Sequence, residues 1–172
     1  MNTLRRTTVL LGIAAGFAAS AQMPVLAQVG GDHSQKITGT WSLVSAVNTM
    51  PDGQKVDVFG SKPNGNVIFS PDGHFTVFFM RDGLPKFASG NRQKGTPEEN
   101  QAIVQGSLAY SGTYSADAKD KVLVMNVDAS TFPAWIGEVQ KRKYTIEGDK
   151  LQWVGIVGTG GGNLLVTLKR AK

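Results

Sequence analysis

The sequence predicts an all-β fold, a single antiparallel up-and-down β-barrel of eight or nine strands with one short helix. Three observations carry this expectation. Short runs of β-branched and aromatic residues are separated by turn residues from Thr40 onward. Gly39-Thr40-Trp41 opens the first run and Lys169-Arg170 closes the last. A sheet that curls until its ends meet would lay that guanidinium over the indole face, a contact of roughly 0.5–1 kcal/mol when exposed and more when desolvated. From Thr40 onward one helix stands out, over residues 96–106.

The barrel is expected to begin well inside the chain. Residues 1–6 hold Arg5 and Arg6 and no acid, residues 7–19 form an apolar Ala/Gly-rich run, and small residues come next. This is the layout of a secretory signal peptide. Cleavage is expected after Ala27, because Pro24 ends the apolar helix just before it; Ala21 is the alternative. The apolar run is shorter than the ~20 residues a helix needs to cross a bilayer, so no stable membrane span is expected. Arg5-Arg6 fits either the general or the twin-arginine export route. The chain therefore divides into a signal peptide (1–27), a flexible leader (28–38) and a barrel domain (39–172), placed in the periplasm or outside the cell.

In order, strands are expected over 41–47, 67–69, 75–80, 110–115, 122–127, 139–146, 151–157 and 164–169. The first alternates loosely, since Leu43 and Val44 are both apolar, which suggests cover on both faces. Pro51-Asp52-Gly53 is a turn. Ser70-Pro71-Asp72-Gly73, between Val67-Ile68-Phe69 and residues 75–80, makes the clearest hairpin. Thr96-Pro97-Glu98-Glu99 supplies an N-cap, a proline at N1 and a glutamate at N3, so a helix runs to about Gln105 and stops at Gly106, across one barrel end. Gly158-Thr159-Gly160-Gly161-Gly162 lies between two strands and lacks a lysine-serine ending, so it reads as a flexible hairpin rather than a phosphate loop.

Composition narrows the function. Removing 27 of the 172 residues leaves one domain's worth of chain, and losing two arginines lowers the formal charge from +5 to +3. No Lys/Arg block is interleaved with aromatics, so nucleic acid is not an expected partner. Cysteine is absent, which excludes disulfides and thiolate metal sites. His33 and His74 form no metal-ligand cluster and no serine sits in a nucleophile elbow, so neither a metal, a cofactor nor a set of catalytic residues is assigned.

The most telling strand is 138–146. Period-two geometry puts Lys141 and Lys143 on one face and Gln140, Arg142, Tyr144 and Ile146 on the other, which must then point inward. A buried guanidinium needs a partner: an internal acid that makes it a structural network, or a ligand carboxylate or other oxygen group. Tyr110 and Tyr114 share one face and offer polar tips to a cavity, or sit at the rim. Trp135, in the rigid stretch Phe132-Pro133-Ala134-Trp135-Ile136-Gly137, belongs to a lid over the mouth or a plug in one end. Phe75, Val77 and Phe79 occupy one face of their strand and Phe78 and Met80 the other, one set meeting the helix or a partner subunit. Arg142, Gln140, Tyr144, Tyr110, Tyr114, Trp135, Phe78 and Met80 make up the candidate ligand-binding set, with Trp41 and Arg170 closing the barrel. Trp153 fits core and cavity wall equally.

Taken in order, Gly39-Thr40-Trp41-x-Leu43-Val44-Ser45, Pro63-x-Gly65-x-Val67-Ile68-Phe69-Ser70-Pro71-Asp72-Gly73, Thr96-x-Glu98-Glu99, Tyr110-Ser111-Gly112-Thr113-Tyr114 and Phe132-Pro133-x-Trp135-x-Gly137-x-x-Gln140-x-Arg142 cover nearly the whole mature chain. With them the chain resembles the bacterial and fungal lipocalin-like domain family. The resemblance implies a barrel whose central cavity suits a small apolar or amphipathic molecule, and it implies no particular ligand. The Gly-x-Trp start and late Arg170 are also similar to the wider lipocalin pattern, without the cysteine-linked features of secreted animal lipocalins. The expected function is binding of a small hydrophobic or amphipathic molecule in the barrel cavity. The alternatives are an isomerase or cyclase acting on an apolar substrate there, and a packed structural or partner-binding barrel.

Overall fold

The computed structural model describes residues 36–155 and 161–172. The expected signal peptide, the leader up to residue 35 and most of the Gly-rich hairpin lie outside the described residues. Strands β1 (Gly39–Thr49), β2 (Lys55–Asp57), β3 (Asn64–Phe69) and β4 (His74–Met80) precede helix α1 (Pro97–Gly106). Strands β5 (Ser107–Asp117), β6 (Val122–Ser130), β7 (Val139–Glu147), β8 (Lys150–Gly155) and β9 (Asn163–Arg170) come after it, with a 3₁₀ turn at Pro133–Trp135 between β6 and β7.

Every neighbouring pair is antiparallel, and β9 returns to pair with β1 from Trp41↔Arg170 to Thr49↔Asn163. The result is a closed barrel of eight strands, with β2 as an outside strand paired to the end of β1. The exposed three-residue β2 was not legible in the sequence, because none of its side chains is buried.

Closure is clasped where the sequence placed it. The Arg170 guanidinium lies 4.1 Å from the centroid of the Trp41 ring, while its Nη1 donates to Thr38 O at 3.0 Å and its Nη2 to Lys36 O. Trp41 Nε1 donates to Ile37 O at 2.7 Å, and Ile37 itself is fully buried. Lys36, Ile37 and Thr38, expected in a flexible leader, are therefore tied into the barrel end.

The loose alternation in β1 has a different cause from the one expected. The strand is bulged between Leu43 and Ser45, so the inward set passes from Trp41 and Leu43 to Ala46, and Val44 stands 50% exposed. A bulge inserts one unpaired residue and switches the parity of the residues beyond it. A second bulge lies at Ser111/Gly112, where strands β5 and β6 approach so closely that a Cβ on Gly112 would sit 1.9 Å from Asn126 O.

Inward residues from every barrel strand form one core, including Val67, Phe69, Val77, Leu123, Met125, Leu151, Trp153 and Leu168. Helix α1 starts with the expected capping box: Thr96 Oγ1 accepts from Glu99 N at 3.2 Å and Glu99 Oε2 from Thr96 N at 2.8 Å. It does not plug the barrel, since Gly106 is its only buried residue. The helix is braced by the loop before it, with Ala88 N donating to Glu99 Oε1 at 2.8 Å and Leu84 packed at Gly106.

The two barrel ends differ. One carries the short turns 70–73, 118–121 and 148–149 together with Gly39 and Arg170; the other carries the long connections 50–63, 81–106 and 131–138. Replacing Arg170 by alanine removes a cation–π contact and two hydrogen bonds at the short-turn end, and is expected to cost about 1–2 kcal/mol of stability in urea denaturation. An unchanged midpoint would show that the clasp adds nothing to closure.

Candidate functional site

Strand β7 buries its alternate residues as its period requires: Gln140, Arg142 and Tyr144 point in, Lys141 and Lys143 out. Gln140 (1% exposed) and Arg142 (4%) are the only buried polar or charged side chains, aromatic hydroxyls and indoles aside, among the described residues. They bond to each other, with Arg142 Nη2 donating to Gln140 Oε1. Two aromatic rings flank the guanidinium, Trp153 with its centroid 5.5 Å from Cζ and Tyr110 at 5.7 Å.

This cluster is a set of donors in want of acceptors. Arg142 Nε, Gln140 Nε2 and Trp153 Nε1 are all buried and none has a hydrogen-bond partner among the described residues. Gln140 Oε1 already accepts from Arg142, so the amide's free edge is its NH₂. No described aspartate or glutamate is buried, and the ion pairs present, His74–Asp72 and Lys150–Glu147, are on the surface. Burial pushes the Tyr110 hydroxyl above its ordinary pKa, an effect the nearby Arg142 charge only partly offsets. The phenol therefore stays protonated beside the guanidinium.

Above the cluster sits Trp135. Its ring packs edge-on against Tyr110 at 5.3 Å, and Phe132 packs edge-on against Trp135 at 5.6 Å. The 3₁₀ turn that holds Trp135 belongs to the long-loop end, and Gln140 lies one residue into the next strand. The aromatic connection thus caps the end of the barrel nearest the polar cluster, while Phe132 and Ile136 remain exposed.

Of the expected ligand-binding set, Arg142, Gln140 and Tyr110 come together, with Trp135 joined to them through Tyr110. Tyr144 is inward but deeper; its hydroxyl reaches Asp117 O (3.4 Å) at the short-turn end. Tyr114 is at that end as well, donating to Ser70 O at 3.0 Å and lying 3.3 Å from Thr38 Oγ1, so the rim reading applies to it. Phe78 and Met80 are corrected: Phe75, Val77 and Phe79 are the inward residues of β4, and Phe78 faces outward, 40% exposed, with Met80 at the same parity. Three apolar inward positions bury more surface than two, which decides the parity of that strand.

Trp153, which fits core and cavity wall equally in the sequence and stands outside the expected ligand-binding set, lies beside Arg142. The signal for its inward side was present in Lys150-Leu151-Gln152-Trp153, where polar Lys150 and Gln152 alternate with buried Leu151 and Trp153. Elsewhere among the described residues, no group of three or more His, Asp or Glu is placed to hold a metal ion. No described helix is long and apolar enough to cross a membrane.

Comparison with known proteins adds a family to this geometry. Over a 79-residue stretch the chain is 33% identical to the 4'-hydroxy-3'-methoxypropiophenone carrier protein of Aspergillus oryzae (strain ATCC 42149 / RIB 40), spanning 42% of this chain and 71% of that one. Two variants of the fluorescent protein UnaG align in three dimensions at 14% identity and a TM-score of 0.37, over 80% of this chain and 98% or 97% of theirs. Residues 38–164 match the lipocalin-like domain, and the chain belongs to that family.

Proposed function

We propose that this protein is an exported carrier that holds one small hydrophobic or amphipathic molecule inside its barrel. The observation that supports this most directly is the interior cluster of three buried donors without acceptors, set in an otherwise apolar wall. A buried N–H left unpaired costs about 1–3 kcal/mol, so a guest that supplies acceptors regains that energy on binding. The Aspergillus relative is named as a carrier of an aryl ketone, a molecule with an apolar body and oxygen groups at its ends. Transferred to this chain, the same division of labour assigns the apolar body to Val77, Leu123, Met125 and the aromatic walls, and the oxygen end to Arg142, Gln140 and Trp153.

Apolar contact supplies most of the affinity. Burying ~300 Å² of ligand surface gives about 7.5 kcal/mol before the cost of association, and hydrogen bonds to the buried donors add to it. Trp135 and the 131–138 connection form the lid over the loading end, and the protonated Tyr110 hydroxyl adds a polar tip beneath it. A carrier releases its guest chemically unchanged. Export rests on the signal-like residues 1–27, and fractionation of expressing cells is expected to find a chain shortened at Ala27 outside the cytoplasm. A full-length product confined to the cytoplasm would overturn that part.

The neutral probe N-phenyl-1-naphthylamine is expected to bind in a 1:1 ratio and quench tryptophan emission. Val127→Trp, which fills the interior from β6, should reduce this uptake at least about tenfold, at an overpacking cost of about 1–3 kcal/mol. Uptake that survives the filled interior would place binding outside the barrel. Tyr110 makes a second prediction. Its pKa is raised above 10.0, so the stability it contributes is intact below the unfolded tyrosine value. That stability is lost as pH climbs from about 10 through the raised folded value, because the unfolded chain gives up the phenolic proton first. Tyr110→Phe is expected to lessen the fall in unfolding free energy between pH 9 and pH ~11.5; an identical fall in both proteins would refute the assignment.

A further inference from the structure

We propose that the guest is an anion, whose carboxylate or equivalent oxyanion is received by Arg142, Gln140 and Trp153 while its apolar remainder extends toward Trp135. The inference rests on the carrier reading and names the ligand class for the same site. It is drawn from the sign of what the cluster lacks.

Arg142 carries a full positive charge on a planar guanidinium with five N–H donors and no acceptor. It is 4% exposed, and its polar neighbours among the described residues are the Gln140 carbonyl oxygen and the Tyr110 phenol, both neutral. The aromatic faces at 5.5 and 5.7 Å soften the charge without balancing it. In an internal structural network an aspartate or glutamate would meet the guanidinium, yet every described acid lies outside the buried core. Of the two partners open to a buried guanidinium, an internal acid or a ligand, the first is thus not supplied by the described chain.

The unmet hydrogen bonds point the same way. Arg142 Nε, Gln140 Nε2 and Trp153 Nε1 are three donors from adjacent strands, β7 and β8, and no unpaired acceptor accompanies them in the cluster. A hydroxyl guest would answer part of the donor set through its oxygen, but it would add a donor of its own and answer none of the charge. A ketone oxygen would answer part of the donor set but none of the charge. A carboxylate is acceptor-only, planar and singly charged, and it answers both. The location agrees: Gln140 stands at the start of β7 beside the long-loop end, and Arg142 is one inward step deeper. An anion there directs the apolar body toward Tyr110 and Trp135, whose rings pack edge-on at that end.

The test compares a matched pair, 4-phenylbutyrate and 4-phenyl-1-butanol, by titration calorimetry on purified ligand-stripped protein at pH 8. The wild type is expected to prefer the acid by at least about tenfold. Arg142→Met should collapse that preference to within about threefold, and its ligand-free Tm should be no lower than wild type, because an unpaired buried charge is replaced by an apolar chain of similar reach. Should Arg142→Met not fold, Gln140→Leu is the second variant and should lower the acid's affinity several-fold. Equal wild-type affinities for acid and alcohol, or a preference that persists in Arg142→Met, would overturn the proposal while uptake of N-phenyl-1-naphthylamine leaves the carrier reading standing. Failure to bind any of the three compounds would overturn the carrier reading and the anion preference together.

Discussion

A sheet with two free edges has no inside. Here the pairing of β9 with β1 removes both edges, and the rest of the molecule depends on the enclosure this creates. The seam pairs the first and last barrel strands, which are the most distant in sequence, so nothing local holds it. It is held by the ladder itself and by Arg170, which covers the Trp41 ring while bonding to carbonyls of the segment that leads into β1. That one side chain joins the C-terminal end of the last strand, the start of the first and the buried Ile37 turn.

Closure makes strand parity consequential. Along each strand one set of side chains is removed from water and the other is not, so an arginine at an inward position has no route to solvent. Two bulges show how strictly this is kept. In β1 an extra residue ejects Val44 and brings Ala46 inward, and in β5 a glycine lets the neighbouring strand come within contact of its Cα. The short turns at one end leave little room beyond packed side chains, where Tyr114 and Tyr144 spend their hydroxyls on backbone carbonyls. The long connections at the other end leave that end to Trp135 and its neighbours. The polar cluster is near the second end, with Gln140 one residue into β7.

The energetic character of the interior is therefore uneven. Most of it is apolar and mutually packed, with edge-on aromatic pairs such as Phe69–Trp153 and Phe75–Tyr110. Against this background a guanidinium, an amide and an indole N–H are buried with unmet bonding capacity. A core selected for stability alone would replace them with hydrocarbon of similar volume.

Much of this was legible in residue order. The hairpin at Ser70-Pro71-Asp72-Gly73, the capping box at Thr96–Glu99, the inward turn of Gln140 and Arg142 and the meeting of Trp41 with Arg170 all rest on period, turn chemistry or cap chemistry, which act within a few residues or depend on strand direction. Phe78 and Met80 fall in the expected ligand set against the parity of their strand because apolar residues on both faces leave local pattern undecided. Trp153 is ambiguous in sequence for a related reason: burial alone does not distinguish a core indole from one that borders a site. Only the tertiary structure decided which buried groups lack partners, since that depends on β5, β7 and β8 placing Tyr110, Arg142 and Trp153 side by side without an acid. The sequence by itself determined which face of β7 is buried, because its alternation of lysines with Gln140, Arg142 and Tyr144 is a local property; the three-dimensional fold determined that the buried charge is unanswered, because a missing contact exists only between strands.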